Sequence, residues 1–516
     1  MSIIDDVVGT NTSRTYLLLT GLISAFLLWR LHSIVYNLFF HPLRHIPGPV
    51  SHRASRLPYV TELLTGVQAF RTQQLHDRHG SVVRIGPSHL SFTDVRAWKD
   101  IYGHQVGLKH NAPELSKTVT FSASIDDIPR SILNADRETH SRYRRALSHG
   151  FSDASMRQQE PIVLKYVHLL AKRLREECAR GNKALNAVAW YNWTTFDIVG
   201  DLVFGMSFGC LEGTDYHPWI AFIFGTVKWG SGMVALDYLG FHWLVQVVYR
   251  YGGGLKVKTM EKYVDTMLNH RLEMKSERDD LFEGLIKNRE AWNLSFRDLA
   301  SNAFILVLAG SETTATTLSG VTYLLLTHQD VLDKVTKEVR SAFKSADEIN
   351  INSAGQLTYM LAVLNEALRL FPPVTAGLVR QVPTGGANIA GHFVPAGTFV
   401  EVQHWSMNHS KENWTDPWSF KPERFIVNDD DAKPADNETT GANRLEALQA
   451  FSTGPRNCIG RNLAYAEMRL ILARIIFEFD MRLADDSKQW IERQKSFVLW
   501  DRIPLNMYLT PVNFKA

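Results

Sequence analysis

The stretch Phe451-Ser-Thr-Gly-Pro-Arg-Asn-Cys-Ile-Gly460, set directly before an amphipathic helical pattern through Leu463, Ala466, Leu470, Ile471 and Ile475, constrains this chain more than any other. The spacing puts Cys458 at a helix N-terminus, where free amides and the macrodipole favour a thiolate, and Arg456 adds positive charge. Gly454 and Gly460 permit tight turns and a close approach of backbone to a flat ligand. A single thiolate with no second cysteine or neighbouring histidine cannot build a tetrahedral zinc site locally, whereas one axial thiolate suffices for haem. By itself the stretch is equally compatible with a buried structural cysteine. Cys178 and Cys210 add no CxxC and no even-numbered framework, which argues against a disulfide-stapled secreted domain and points to a reducing compartment.

Residues 309–314, Ala-Gly-Ser-Glu-Thr-Thr, fall in a run from Phe296 to about His328 that opens on a capping-box-like Ser295 and Asp298. The run predicts a helix about 50 Å long, enough to cross a whole domain. Its middle departs from helix preference. Gly310 costs about 1 kcal/mol relative to Ala, Thr313 and Thr314 can bond back to the preceding turn, and Glu312 interrupts an apolar face. A packing irregularity and a proton-handling site both fit. Glu366-Ala-Leu-Arg369 lies in a segment apolar on nearly every face, so its two charges must satisfy each other in the interior, and Pro372-Pro373 stops that helix. The basic run His140-Ser-Arg-Tyr-Arg144-Arg145 reads as a solvated face or as an anion-binding one.

Together these motifs resemble the cytochrome P-450 family, the haem-thiolate monooxygenases. Phe451, Gly454, Arg456, Cys458 and Gly460 match every fixed position of its F-x-x-G-x-R-x-C-x-G loop. Residues 309–314 match its acid–threonine helix motif in full, and Glu366 and Arg369 match its E-x-x-R; Pro422-Glu-Arg-Phe425 resembles the segment that supplies a third partner, Arg424. The motifs keep the family's order over residues 41–502, so the resemblance implies the cytochrome P-450 fold, mainly α with a small β-sheet region. It implies that Cys458 is the proximal ligand of a haem b iron, that Phe451 shields the sulfur, and that Arg456 pairs with a haem propionate. Glu312 and Thr313 would deliver protons during dioxygen activation, while Glu366, Arg369 and Arg424 would hold the proximal side structurally. The family's Trp or His four residues before an Arg gives His140 and Arg144 a propionate as well, with Arg380 a further candidate; histidine here replaces the commoner tryptophan. The implied activity is monooxygenation, with electrons from NADPH through a separate NADPH-cytochrome reductase, and cytochrome b5 as an additional donor, because the chain carries no visible flavin or nicotinamide fingerprint. Arg142 and Arg145 could face such an acidic partner.

The amino terminus differs from the rest. Tyr16–Trp29 is apolar apart from Thr20 and Ser24, and a second apolar run reaches Phe40 beyond Arg30 and His32. With Arg30 snorkelling, the combined stretch spans a bilayer. Arg30, Arg44, Arg53 and Arg56 follow it and only Arg14 precedes it, which places the body in the cytosol under the positive-inside rule. The expected organisation is a single anchor over 1–40 in the endoplasmic reticulum membrane, an extended proline-rich hinge over 41–56, and one catalytic domain over 57–516. Ser81–Ile85 and His89–Thr93 read as a hairpin, and Asn428–Asn443 as a solvated loop. The formal net charge of +3, from 56 Lys plus Arg against 53 Asp plus Glu, leaves the chain as a whole no polyelectrolyte attraction to nucleic acid.

By family position the substrate would contact Thr118–Leu133, Pro218–Trp243, Phe304–Ala309, Val374–Leu378 and Ser496–Val498, segments rich in Phe, Ile, Leu, Trp and Gly. Such a lining favours hydroxylation or epoxidation of a hydrophobic small molecule over a polyanion. Ser141–Ser152 and His41–Pro49 most resemble membrane-anchored members from fungal secondary metabolism. Two other classes stay open: a haem-thiolate isomerase or dehydratase, which needs no proton relay, and a non-catalytic haem-binding protein.

Overall fold

The computed structural model describes residues 2–103, 115–118, 129–181, 183–252, 254–274, 278–426, 443–501 and 503–512. Nearly all of the expected loop Asn428–Asn443 and residues 119–128 of the expected pocket lie outside them. Eight helices position the site: α1 (Ser2–Val35), α2 (Arg137–Ser148), α3 (Asp153–Ala179), α4 (Ala187–Phe204), α5 (Pro218–Tyr238), α6 (Phe296–Thr327), α7 (Thr358–Leu370) and α8 (Arg461–Glu478).

Helix α6 is the central strut. Its capping box forms as the sequence predicts, Ser295 accepting from the Asp298 amide and Asp298 from the Ser295 amide. It runs through the 309–314 motif without a break, and the cost of Gly310 is explained by packing: a Cβ there would sit 3.2 Å from Val199 Cγ2. Val199 belongs to α4, in which every residue but Trp193 is buried, so the two helix backbones approach closely where a side chain is missing. Helices α3, α7 and α8 add their apolar faces to the same core, which includes Leu170, Val199, Leu318, Leu364 and Ile471. Phe371 ends α7 just before the two prolines, as expected.

The expected hairpin is present, Val82–Gly86 pairing antiparallel with His89–Phe92. It joins a mixed five-stranded sheet in which His89–Phe92 lies parallel to Phe399–Val402, followed by Arg380–Gln381 and Ser116–Lys117. Alternation of Leu90, Phe92, Val400 and Val402 builds a second apolar cluster with Trp98 and Trp414.

At the amino terminus, Tyr16–Phe40 is an apolar stretch of 25 residues, none of it buried against the body. The segment after it departs from the expected extended, stiff connector. Residues 42–45 form a turn, and Leu43 and Ile46 are buried beside Val82 and Leu90. Proline fixes φ locally but does not decide where the chain docks. What docks it is Arg84, fully buried, whose guanidinium donates to the carbonyls of Asn37 (3.0 Å), Leu43 (3.4 Å) and Pro87 (2.6 and 2.9 Å) while its amide donates to Pro47 O.

Candidate active site

A cavity of about 300 Å³ lies between α6 and the loop that leads into α8. Cys458 reaches it from one wall and Thr313 from the other. The cysteine loop is held by its own backbone: the Cys458 amide donates to Phe451 O at 2.8 Å and the Asn457 amide to Gly454 O at 3.1 Å. Gly454 has φ +77°, and a Cβ there would fall 1.9 Å from Tyr102 O, so both conformation and space require glycine. A Cβ on Gly460 would stand 3.9 Å from Cys458 Sγ and 3.7 Å from Phe151. Phe451 packs on Tyr465 with ring centres 5.2 Å apart.

The Cys458 side chain is accessible and lines the cavity. Burial pushes the thiol up from its ordinary value, opposed by the Gly460 amide and by the guanidinium of Arg144. Arg144 is thus a cation acting on the sulfur that the sequence expectation, which named Arg456, did not include. From α2, Arg144 is held at the cysteine loop by donating to Asn457 O (2.7 Å) and Asn457 Oδ1 (2.5 Å), whereas Arg456 donates to Ala135 O at 3.0 Å. Among the described residues no cluster of three His, Cys, Asp or Glu could hold a metal ion, and Cys458 is the one thiol on the lining.

His140, Arg144 and Arg456 all line the cavity. Arg380 does not: it is buried one strand back, donating to Leu378 O (3.1 Å) and Val379 O (3.2 Å), with its guanidinium over the Tyr102 ring. The cation on its neighbouring strand, Lys117, lines the cavity instead and donates to Leu133 O. No motif marks Lys117; only its pairing with Arg380 across the strands brings it in. One thiol, largely apolar walls and the basic side chains of Lys117, His140, Arg144 and Arg456 fit haem, whose iron takes an axial thiolate and whose two carboxylates need cations.

The acid–threonine pair is divided by helix geometry. Thr313 faces the cavity, its hydroxyl donating to Ala309 O at 2.7 Å. Glu312 is buried outside the lining, off the α6 face that carries Ala309, Gly310, Thr313, Thr314 and Thr317. Thr314 also lines the cavity and donates to Gly310 O at 3.0 Å.

Beneath the loop, Glu366 and Arg369 are both fully buried and paired. Arg369 Nε and Nη2 donate to the carboxylate at 2.7 and 2.8 Å, and Nη1 and Nη2 also reach Asn408 O, Pro417 O and Ser419 O. Arg424 Nε donates to Glu366 Oε1 at 3.1 Å, and the Lys421 amide to the same oxygen at 3.0 Å. Sequence reasoning named all three charged residues.

Of the expected substrate segments, Ile132, Leu133, Ile305, Leu306, Val374 and Leu378 line the cavity. No residue of Ser496–Val498 and no described side chain of Pro218–Trp243 does. The former lies behind Val374, with Ser496 Oγ against Thr375 Oγ1 and Val498 O accepting from the Thr375 amide.

Residues 54–507 match the Cytochrome P450 family profile. The sequence is 47% identical over 481 residues, 92% of either chain, to Cytochrome P450 monooxygenase tpeC of Talaromyces stipitatus. It is 42% identical to the Trichothecene C-15 hydroxylase of Fusarium sporotrichioides, covering 93% of this chain and 95% of that one. To the Averantin hydroxylase of Dothistroma septosporum it is 41% identical, covering 95% and 90% respectively.

Proposed function

The chain belongs to the cytochrome P450 family and is a monooxygenase, and from that premise we propose that it inserts one oxygen atom of dioxygen into an apolar fungal secondary metabolite, most simply as a hydroxylation. The observation that carries this reading is the single cavity onto which a solitary thiol and a helix-borne hydroxyl both open. Haem, when bound, supplies the dioxygen chemistry that no side chain can perform.

In this reading Cys458 holds the haem iron, with Phe451 shielding the sulfur, while Lys117, His140, Arg144 and Arg456 receive the propionates. Arg380 supports that edge from behind through Leu378 and Val379. Thr313 handles protons at the cavity: its hydroxyl can donate and accept, and it exchanges its bond to Ala309 O for one toward the reacting oxygen. Glu312, buried one residue away, is the proton reserve behind it. Glu366, Arg369 and Arg424 fix the backbone below the cysteine loop. Ile132, Leu133, Ile305, Leu306, Val374 and Leu378 orient an apolar substrate and exclude water, and two relatives named as hydroxylases support the reaction type.

Electrons come from NADPH through a separate reductase, with cytochrome b5 as a second donor. Residues 1–40 anchor the protein in the endoplasmic reticulum membrane, residues 41–56 join the anchor to the body, and residues 57–516 form the cytosolic catalytic domain. The deciding experiment supplies purified holoprotein with reductase, NADPH and isotopically heavy dioxygen, and follows apolar metabolites by mass spectrometry. Product carrying one heavy oxygen per NADPH consumed supports the proposal; an isomerised product without NADPH consumption overturns it.

A further inference from the structure

Glu467 has no part in the roles above. It lies on α8, nine residues beyond Cys458 in the chain, with no exposed surface. It lines the cavity, and neither carboxyl oxygen has a hydrogen-bond partner among the described residues. A buried charge so placed is costly, and a buried polar group without a partner calls for a cause. Thr314, on the opposite helix α6, lines the same cavity. Because Thr314 commits its proton to Gly310 O at 3.0 Å, its oxygen can only accept from Glu467. A carboxylate has nothing to give such a hydroxyl, whereas a neutral carboxylic acid has one proton to donate.

We propose that Glu467 is a positioning residue, a neutral carboxylic acid that donates to Thr314 directly or through one water and so ties the helix following Cys458 to the helix carrying Thr313. Burial agrees with a neutral acid, pushing the Glu467 carboxyl up to about 8. The bond would fix the separation of the two cavity walls at the level of the threonines. Thr314 precedes nothing in the proton path; it is the point at which α6 is held. This inference rests on the monooxygenase reading, because its effect on turnover is an effect on coupling.

The test compares holoprotein of wild type, Glu467→Gln and Glu467→Leu. Glutamine keeps the shape and a donor; leucine keeps the volume and removes the donor. Infrared difference spectra of wild type against Glu467→Gln at neutral pH should contain a protonated carboxyl band. Glu467→Gln should keep its product-to-NADPH ratio, while Glu467→Leu should lose it by about tenfold, the scale of an ångström-sized misplacement of reacting groups, with its melting temperature unchanged or raised. The carbon monoxide stretch of the reduced complex should broaden in Glu467→Leu alone. Absence of the protonated carboxyl band, wild-type coupling in Glu467→Leu, or equal loss in both variants overturns the proposal, the last because the acid proton itself would then be needed. If wild type makes no product, the monooxygenase reading fails, and the carboxyl band and the carbon monoxide line width still decide the role of Glu467.

Discussion

Glu366 and Glu467 are both fully buried glutamates on core helices, and they are treated in opposite ways. Around Glu366 every group is matched. Its two oxygens take bonds from Arg369, Arg424 and the Lys421 amide, and the remaining Arg369 donors end on three backbone carbonyls. Around Glu467 no described residue completes a bond, and the carboxyl opens on the cavity. A low-dielectric interior strengthens both a made and a missing bond. The saturated seam is therefore the rigid floor of the molecule, and the unsaturated one, with Thr313 and Thr314 beside it, is where protons and ligands can still change partners.

The harshest way to break this comparison is Arg369→Ala. It leaves the Glu366 charge buried with only Arg424 and one amide, at a cost of about 3–5 kcal/mol. The expected outcome is little folded holoprotein rather than altered chemistry, read from expression, haem content and melting temperature. Normal values in all three would show that the floor is not held by this pair.

Thr313→Ala probes the other seam and should leave the fold nearly intact, since it removes one bond to Ala309 O worth about 1 kcal/mol or less. The variant should bind haem and consume NADPH, release hydrogen peroxide and form little product. Measuring NADPH, peroxide and product on one sample checks this, and a wild-type product ratio would reduce Thr313 to a packing residue.

The third effect is in the pH dependence of stability, and it is confined to one pH window. A carboxyl raised from 4.5 to about 8 by burial binds its proton more tightly folded than unfolded. Its burden is absent below pH 4.5, grows as pH rises toward about 8, and is constant above that. The melting temperature of Glu467→Leu relative to wild type should climb across this window and nowhere else. A flat difference would mean that the fold does not favour the neutral acid at Glu467, and the contrast with Glu366 would collapse.

The floor was legible in the sequence because its members are local: Glu366 and Arg369 lie three apart on one helix with no solvated face, and the cysteine loop is a single contiguous stretch. The cavity was less so. Arg144 is held at the cysteine loop by Asn457, 313 positions away, and no spacing rule encodes that contact. Lys117 enters by strand pairing with Arg380. Glu467 sits in an amphipathic pattern as an ordinary charged residue until the packing of α6 on α8 removes its water. Glu312 and Thr313, adjacent in the motif, are parted because Glu312 lies off the α6 face that lines the cavity. The connector was misread for a similar reason: its prolines are local signals, but its docking depends on Arg84, in a strand that begins more than thirty residues later.

The central claim is that Cys458 is the sulfur through which this fold holds its haem. The carbon monoxide difference spectrum of the reduced protein tests it most directly, on wild type and Cys458→Ala prepared side by side. The account predicts a thiolate-ligated haem in wild type and complete loss of that signature, with loss of monooxygenation, in the variant, because among the described residues no other thiol lines the cavity. An unchanged thiolate spectrum in Cys458→Ala would contradict it.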